Sequence, residues 1–257
     1  MDAPTEAAIS ADATPERADG PGSDDADDGR GGRTVGPFGP ATWMRALTLA
    51  VAFAFLGGAV GWAFGSRDRD PFNDVDVGFM QDMTVHHEQA VQMSKILLYK
   101  TGIDRSLRSF AEEFLGDQRF EQGIFNALLV RFDHPVTNPD ETAMGWMGTP
   151  VPVLKMSGMA TEAQLDKLRS AQGRDAEALF IAMMSEHHLG GFHMSDYAAR
   201  HGKDRTVRNI ARAILRNQRG EIFDLARTRV RLDLPIPSGY TDPTKDQRLN
   251  PLSTNHD

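Results

Sequence analysis

The stretch from Asp76 to Ser94 recurs from Glu177 to Ser195, displaced by 101 positions. Both copies read acid, Phe, Met, a His-His pair, a small residue and a closing Met-Ser. A chain that repeats so particular a pattern is built from two copies of one structural unit. On a helix, residues three, four, seven and eleven apart share a face. In the first copy that face collects Asp76, Phe79, Met80, Met83, His86, His87, Ala90 and Ser94, with Met93 at its edge. In the second it collects Glu177, Phe180, Ile181, Met184, His187, His188, Gly191 and Ser195, with Met194 at its edge. The stripe that should face a core therefore carries an acid and two imidazoles, and buried polar groups need partners.

The repeat extends beyond this motif. Helical periodicity predicts a first helix from about residue 75 to Tyr99 and a second from Asp104 to Phe132, which His134-Pro135 closes. A third runs from Arg174 to Arg200 and a fourth from Asp204 to Leu232, before Pro235. Ala111, Leu115, Gln118, Arg119 and Glu121 of the second helix match Ala211, Leu215, Gln218, Arg219 and Glu221 of the fourth. The duplicated unit is thus a helical hairpin. Neither hairpin can cover its own apolar stripe, so an all-α four-helix bundle of two hairpins is the economical fold. Gln118, Glu121, Gln218 and Glu221 fall on the apolar stripes and are expected to face the histidine pairs. The connection 133–160 is rich in Pro, Gly, Met and Trp and has the length of a functional cover. A short helix opens at Thr161, with Gln164 at the capping-box position.

The flanks differ from this domain, which is expected over residues 74–234. Residues 1–40 hold nine acids and three arginines, so −6 of the net −8 lies there. With almost no large apolar residue, this acidic tail is expected to be disordered. The remainder is near neutral and gives no argument for nucleic-acid binding. Residues 42–66 read as one transmembrane helix preceding the bundle, since no charge falls between Arg45 and Arg67. Trp43 and Trp62 suit the two interfaces. An uncleaved signal anchor is favoured over a cleaved signal peptide. Arg30, Arg33 and Arg45 lean toward a cytoplasmic N-terminus and an extracytoplasmic bundle in the cell membrane. The tail 235–257 is polar and expected to be loosely held. The absence of cysteine excludes disulfides, thiolate metal sites and cysteine nucleophiles.

Taken together, the His-His pairs followed by a small residue and Met, the Gln118-x-x-Glu121 spacing, Gly158-Met159-Ala160-Thr161 and the duplication resemble the DUF305 family. The resemblance covers roughly residues 74–232. It implies a ferritin-like four-helix fold in a family whose members are mostly bacterial and secreted or membrane-anchored. Some relatives are similar to periplasmic copper-binding proteins, which implies a metal role. By position the motif residues are His86, His87, Met93, Gln118, Glu121, Met159, His187, His188, Met194, Gln218 and Glu221. Gly191-Phe192 departs from the family pattern, and the missing methyl is expected to thin the wall of the second site.

Imidazole and thioether together suit soft or borderline metals, copper above all, while carboxylates keep iron, manganese and zinc open. The expected ligands are Met83, His86, His87, Met184, His187 and His188. Asp76, Met93, Gln118, Glu121, Met159, Glu177, Met194, Gln218 and Glu221 are supporting or alternative ligands. Within each pair one histidine is expected to bind metal and the other to hydrogen-bond a Glu or Gln. Glu121 and Glu221 lack a histidine at the Glu-x-x-His spacing of di-iron sites, which argues against an oxidase. No nucleophile motif, phosphate loop or nucleotide fingerprint is present. The leading reading is a membrane-anchored, extracytoplasmic metal-binding protein. The alternative is a tethered interaction module whose polar network only fixes helix register, and a metal-dependent enzyme ranks third.

Overall fold

The computed structural model describes residues 43–65 and 70–249. The acidic tail 1–40 and residues 250–257 lie outside them. The chain forms two units, Met1–Arg67 and Asp68–Asp257. The first contains α1 (Trp43–Gly65), whose apolar side chains from 46 to 61 are all exposed, Phe53 and Phe55 among them. Among the described residues no helix is long and apolar enough to cross a membrane. The expected span 42–66 extends past the described side chains at both ends.

The second unit is helical, with four long helices: α2 (Asp74–Leu98), α3 (Arg105–Arg131), α5 (Gly173–His201) and α6 (Arg205–Arg231). The short α4 (Glu162–Ser170) precedes α5. The helices start where side chains can satisfy the free N–H groups of a first turn. Asn73 and Asp76 make a reciprocal capping box on α2, and Thr161 and Gln164 make another on α4. Asp104 caps α3 and Asp204 caps α6. Each boundary falls within a residue or so of its sequence expectation.

The helices pack as two hairpins, α2 with α3 and α5 with α6, joined through an antiparallel α2–α5 contact. The acid that opens each central helix holds the loop of the opposite hairpin. Asp76 Oδ2 accepts from the N–H groups of Lys203 and Asp204, each at 3.0 Å. Glu177 Oε1 accepts from the N–H of Asp104 at 2.7 Å. Both carboxylates are buried. The hairpin loops are therefore cross-tied by approximate two-fold symmetry.

Two large apolar clusters fill most of the interior. One gathers Leu97, Leu107, Phe114, Phe180 and Leu225, and the other Phe79, Phe125, Leu129, Ala198 and Ile214. Along α2 and α5 the histidine pairs fall between the two clusters.

The connection 133–160 covers one side of this junction. It contains a two-residue antiparallel ladder, β1 (Thr142–Ala143) on β2 (Val151–Pro152), with Thr142 opposite Pro152. Three α2 side chains pin it. Gln81 donates to Pro135 O at 2.7 Å. Asp82 Oδ2 accepts from Met144 N and Trp146 Nε1, both at 2.7 Å. Gln89 both donates to and accepts from the Ala160 backbone, at 2.8 and 2.6 Å. The equivalent α5 positions are Ala182, Met183 and Gly190, so the repeat has diverged where only one half holds the connection. Gly190 lets the connection lie directly on α5, since a Cβ there would come within 2.1 Å of Ser157 O. Gly158, at φ +81, meets α5 from the other side.

The C-terminal tail, expected to be loosely held, is exposed or half-buried over most of residues 235–249 but fixed at a few points. Leu249 is 2% exposed and packs with Leu189, Phe192 and Ile222. Arg219 donates to Leu249 O at 3.1 Å, and Gln164 donates to the Tyr240 hydroxyl at 2.9 Å. A polar composition hid these few anchors.

The close approach at Gly190 gives a direct test. Gly190→Ala should lower unfolding stability by about 1–3 kcal/mol, because the added methyl meets backbone. Gly220→Ala, on open helix surface, should raise it by about 0.5–1 kcal/mol. Denaturant titrations read both, and a Gly190→Ala protein as stable as the parent would show that the connection does not lie there.

Candidate metal centre

The histidine pairs reach the interior because helical periodicity puts them on the stripe shared with Phe79, Met83, Phe180 and Met184. All four imidazoles are fully buried. His86 and His187 meet across the α2–α5 contact with ring centroids 3.7 Å apart and planes 29° off parallel. His187 Nε2 lies 2.8 Å from the carbonyl oxygen of His86, and His86 Nε2 lies 3.1 Å from that of Ser157. A carbonyl can only accept, so each of these Nε2 atoms carries the proton and each Nδ1 presents a lone pair. Neither Nδ1 has a hydrogen-bond partner among the described residues.

The second histidine of each pair turns outward to a carboxylate. His87 Nε2 is 2.7 Å from Glu121 Oε2, and His188 Nε2 is 2.8 Å from Glu221 Oε2. The first contact is an aligned hydrogen bond. The second is as short, but Nε2 of His188 makes no aligned hydrogen bond. The Nδ1 atoms of His87 and His188 are also unpartnered. The carboxylate contacts expected of Glu121 and Glu221 are thus present in both halves.

Electrostatics keep the inner pair neutral. Burial pushes His86 and His187 well below the ordinary histidine range, and neighbouring imidazoles, His87 for the former and His86 for the latter, push the same way. A neutral ring is the metal-binding form of histidine.

The remaining sequence candidates divide. Met83 and Met194 lie in one apolar cluster, beside the half-buried Met159, while Met184 and Met93 lie in the other. The equivalent thioethers of the two repeats, Met83 and Met184, therefore fall in different clusters. Asp76 and Glu177 are held at the hairpin loops, ten residues or about 15 Å of helix from His86 and His187. Gln118 and Gln218 are buried, and Gln218 has neither amide atom hydrogen-bonded among the described residues. The wall at Gly191 is not thinned as expected, since a Cβ there would lie 2.4 Å from Gln218 Oε1. The glutamine amide occupies that space. His193 is exposed, as its position opposite Met184 predicts.

Sequence reasoning missed the Ser157 carbonyl, because a backbone acceptor carries no residue signature. Its one trace is the pair Gly158 and Gly190, whose lack of side chains permits the approach.

Comparison with known proteins places the chain. Residues 76–229 match the family described as "Domain of unknown function (DUF305)". A DUF305 protein from Streptomyces coelicolor is similar in structure at 32% identity and TM-score 0.58, covering 63% of this chain and 96% of its own. A DUF305 fragment from Deinococcus radiodurans gives 28% identity and TM-score 0.54, covering 63% and 99%. CopM in its Cu(I)-bound form gives 24% and 0.45, covering 61% and 96%. Among curated proteins none matches. The duplicated His-His hairpins and the match across both repeats establish that this chain belongs to the DUF305 family.

Proposed function

We propose that the protein is a membrane-anchored, extracytoplasmic metal-handling protein whose metal is copper. The observation that carries this reading is the state of the four imidazoles. Each is fully buried, each has Nε2 against a carbonyl or carboxylate oxygen, and each has Nδ1 unpartnered. Histidines that ligate metal are held in this way, one nitrogen fixed by an acceptor and the other free. Buried methionine sulfurs in the adjoining clusters supply soft donors, which favour Cu(I). Because the thioethers fall in two clusters, Met83 and Met194 accompany His86 and His87 in one ligand set. Met184 and Met93 accompany His187 and His188 in the other. Glu121 and Glu221 orient the outer histidines.

The pairing of α2 with α3 and of α5 with α6 supports the ferritin-like frame that the family resemblance implies. The uncharged run in α1, with its exposed apolar side chains, supports anchoring. The flanking arginines support a bundle outside the cytoplasm. A second reading has its own observation. The stacked His86 and His187 and their carbonyl contacts would also fix the register of α2 on α5 in a tethered module that binds no metal.

Metal binding to the folded chain stabilises it, by about 2.7 kcal/mol at a hundredfold excess over Kd. Cu(I) under anaerobic conditions should therefore raise the melting temperature, and binding should saturate near two ions per chain. Replacing His86, His87, His187 and His188 by Gln should remove the rise. A folded quadruple variant that responds like the parent would show that other groups bind the ion. A parent indifferent to copper, zinc, iron and manganese would favour the module.

The neutrality of the inner pair predicts a pH dependence. His86 and His187 titrate lower in the folded state than in the unfolded chain, so below about pH 6.5 the unfolded state binds more protons. Their stabilisation is complete above that pH and is lost as pH falls toward the folded values, by up to about 1.4 kcal/mol per unit for each. Burial raises the Asp82 carboxyl and acts in the opposite sense. Comparing the parent with His86→Gln/His187→Gln isolates the imidazole contribution. Equal slopes between pH 5 and 6.5 would mean that the inner rings are not held neutral.

A further inference from the structure

We propose that the outer face of α6 is a docking surface for an anionic phospholipid bilayer. The proposal rests on the reading of α1 as an anchor and adds the side of the bundle that meets the membrane. At the turn of a helix, Arg205, Arg212, Arg216, Arg219 and Arg227 fall within a sector of about 80°, together with Phe223 and Val230. All five arginines are exposed, and no acid shares the sector. Arg227 pairs with Asp224 from the edge of the row. Arg205 and Arg216 have no ion pair or hydrogen bond among the described residues. A row of guanidinium groups without intervening carboxylates repels itself, and an anionic surface relieves that repulsion.

The duplication supplies an internal comparison. Helix α3 carries four arginines and four acids, whereas α6 carries eight arginines and two acids. At the positions matching Arg212, Arg216 and Arg227, α3 has Glu112, Gly116 and Ala127. The two helices bury equivalent stripes, so packing does not account for the added charge. The amphipathic character of the row favours lipid over nucleic acid. Phe223 is half-buried and Val230 is 67% exposed. Both line a groove of about 530 Å³ that Arg227 and Arg229 border. Phosphate headgroups would meet the arginines and the acyl boundary this apolar end, as at interfacial helices. Chain length favours the same partner. Residues 66–73 separate α1 from α2, and a stretch of that length reaches at most about 28 Å. A bundle anchored through α1 therefore stays beside the bilayer.

The chain has no cysteine, so a single introduced thiol carries a fluorophore to one place. Gly220→Cys puts it on open surface beside the row, and Gly123→Cys puts it on open surface of α3. The full chain is reconstituted in vesicles of phosphatidylcholine alone, or of equal parts phosphatidylcholine and phosphatidylglycerol, and quenching by acrylamide is read. In the anionic vesicles the label at 220 should be shielded roughly threefold, and the label at 123 should not change. The shielding should vanish in 1 M salt, where the screening length falls to about 3 Å. It should also vanish in Arg205→Gln/Arg212→Gln/Arg216→Gln, whose circular dichroism should match the parent's. Equal quenching at 220 in the two lipids, or shielding retained by the triple variant, would overturn the proposal. So would shielding by RNA or polyglutamate without any from anionic lipid, which would assign the row to a soluble polyanion. Flotation separates this outcome from the anchor. A chain that floats with phosphatidylcholine vesicles in high salt is anchored whatever α6 does. One that floats only with anionic vesicles in low salt docks through the row, and the anchor reading alone fails.

Discussion

Burying four imidazoles at the contact between two helices is costly unless the rings stay uncharged and their N–H groups find acceptors. The α2–α5 junction meets this demand twice over. Desolvation keeps His86 and His187 neutral, and main-chain carbonyls receive their Nε2 protons. One of those carbonyls belongs to His86 itself, so the stacked rings are tied to the opposing helix as well as to each other. The other belongs to Ser157, which is why the connection must come down onto α5. Gly158 and Gly190 permit that approach, and Gln81, Asp82 and Gln89 hold the connection on α2. Much of the architecture around the junction thus serves to supply one backbone acceptor.

The duplication sets the frame, and its departures set the chemistry. The crossed ties made by Asp76 and Glu177 survive in both halves because each hairpin loop still needs its N–H groups satisfied. The connection-binding side chains survive in one half only, since one connection exists to be bound. The tail packs on α5 and α6, with Leu249 against Leu189 and Ile222. Glu113 and Asp117 of α3 are matched by Ala213 and Asn217 in α6. Both outer histidines nevertheless keep a short contact to the glutamate of their own hairpin.

The sequence by itself determined whatever depends on neighbours along the chain. Helix limits were legible from Asn73, Asp104, Thr161 and Asp204, because capping is a local exchange between a side chain and the next turn. The inward placement of His86, His87 and Gln118, and of their repeats, was legible because helical period and the apolar stripe fix a face. Family membership followed from the same spacing. Tertiary structure alone decided what depends on a partner remote in the chain. Asp76 and Glu177 share the histidine face, yet they hold the other hairpin's loop, since the antiparallel docking of α2 on α5 brings that loop to them. Met83 and Met184 occupy equivalent positions, yet that same antiparallel docking sends them to opposite clusters. The Ser157 carbonyl, the fit of Gln218 against Gly191 and the meeting of Glu113 with Glu221 exist only once the hairpins pack, because each joins atoms from different helices across distances that no local pattern encodes.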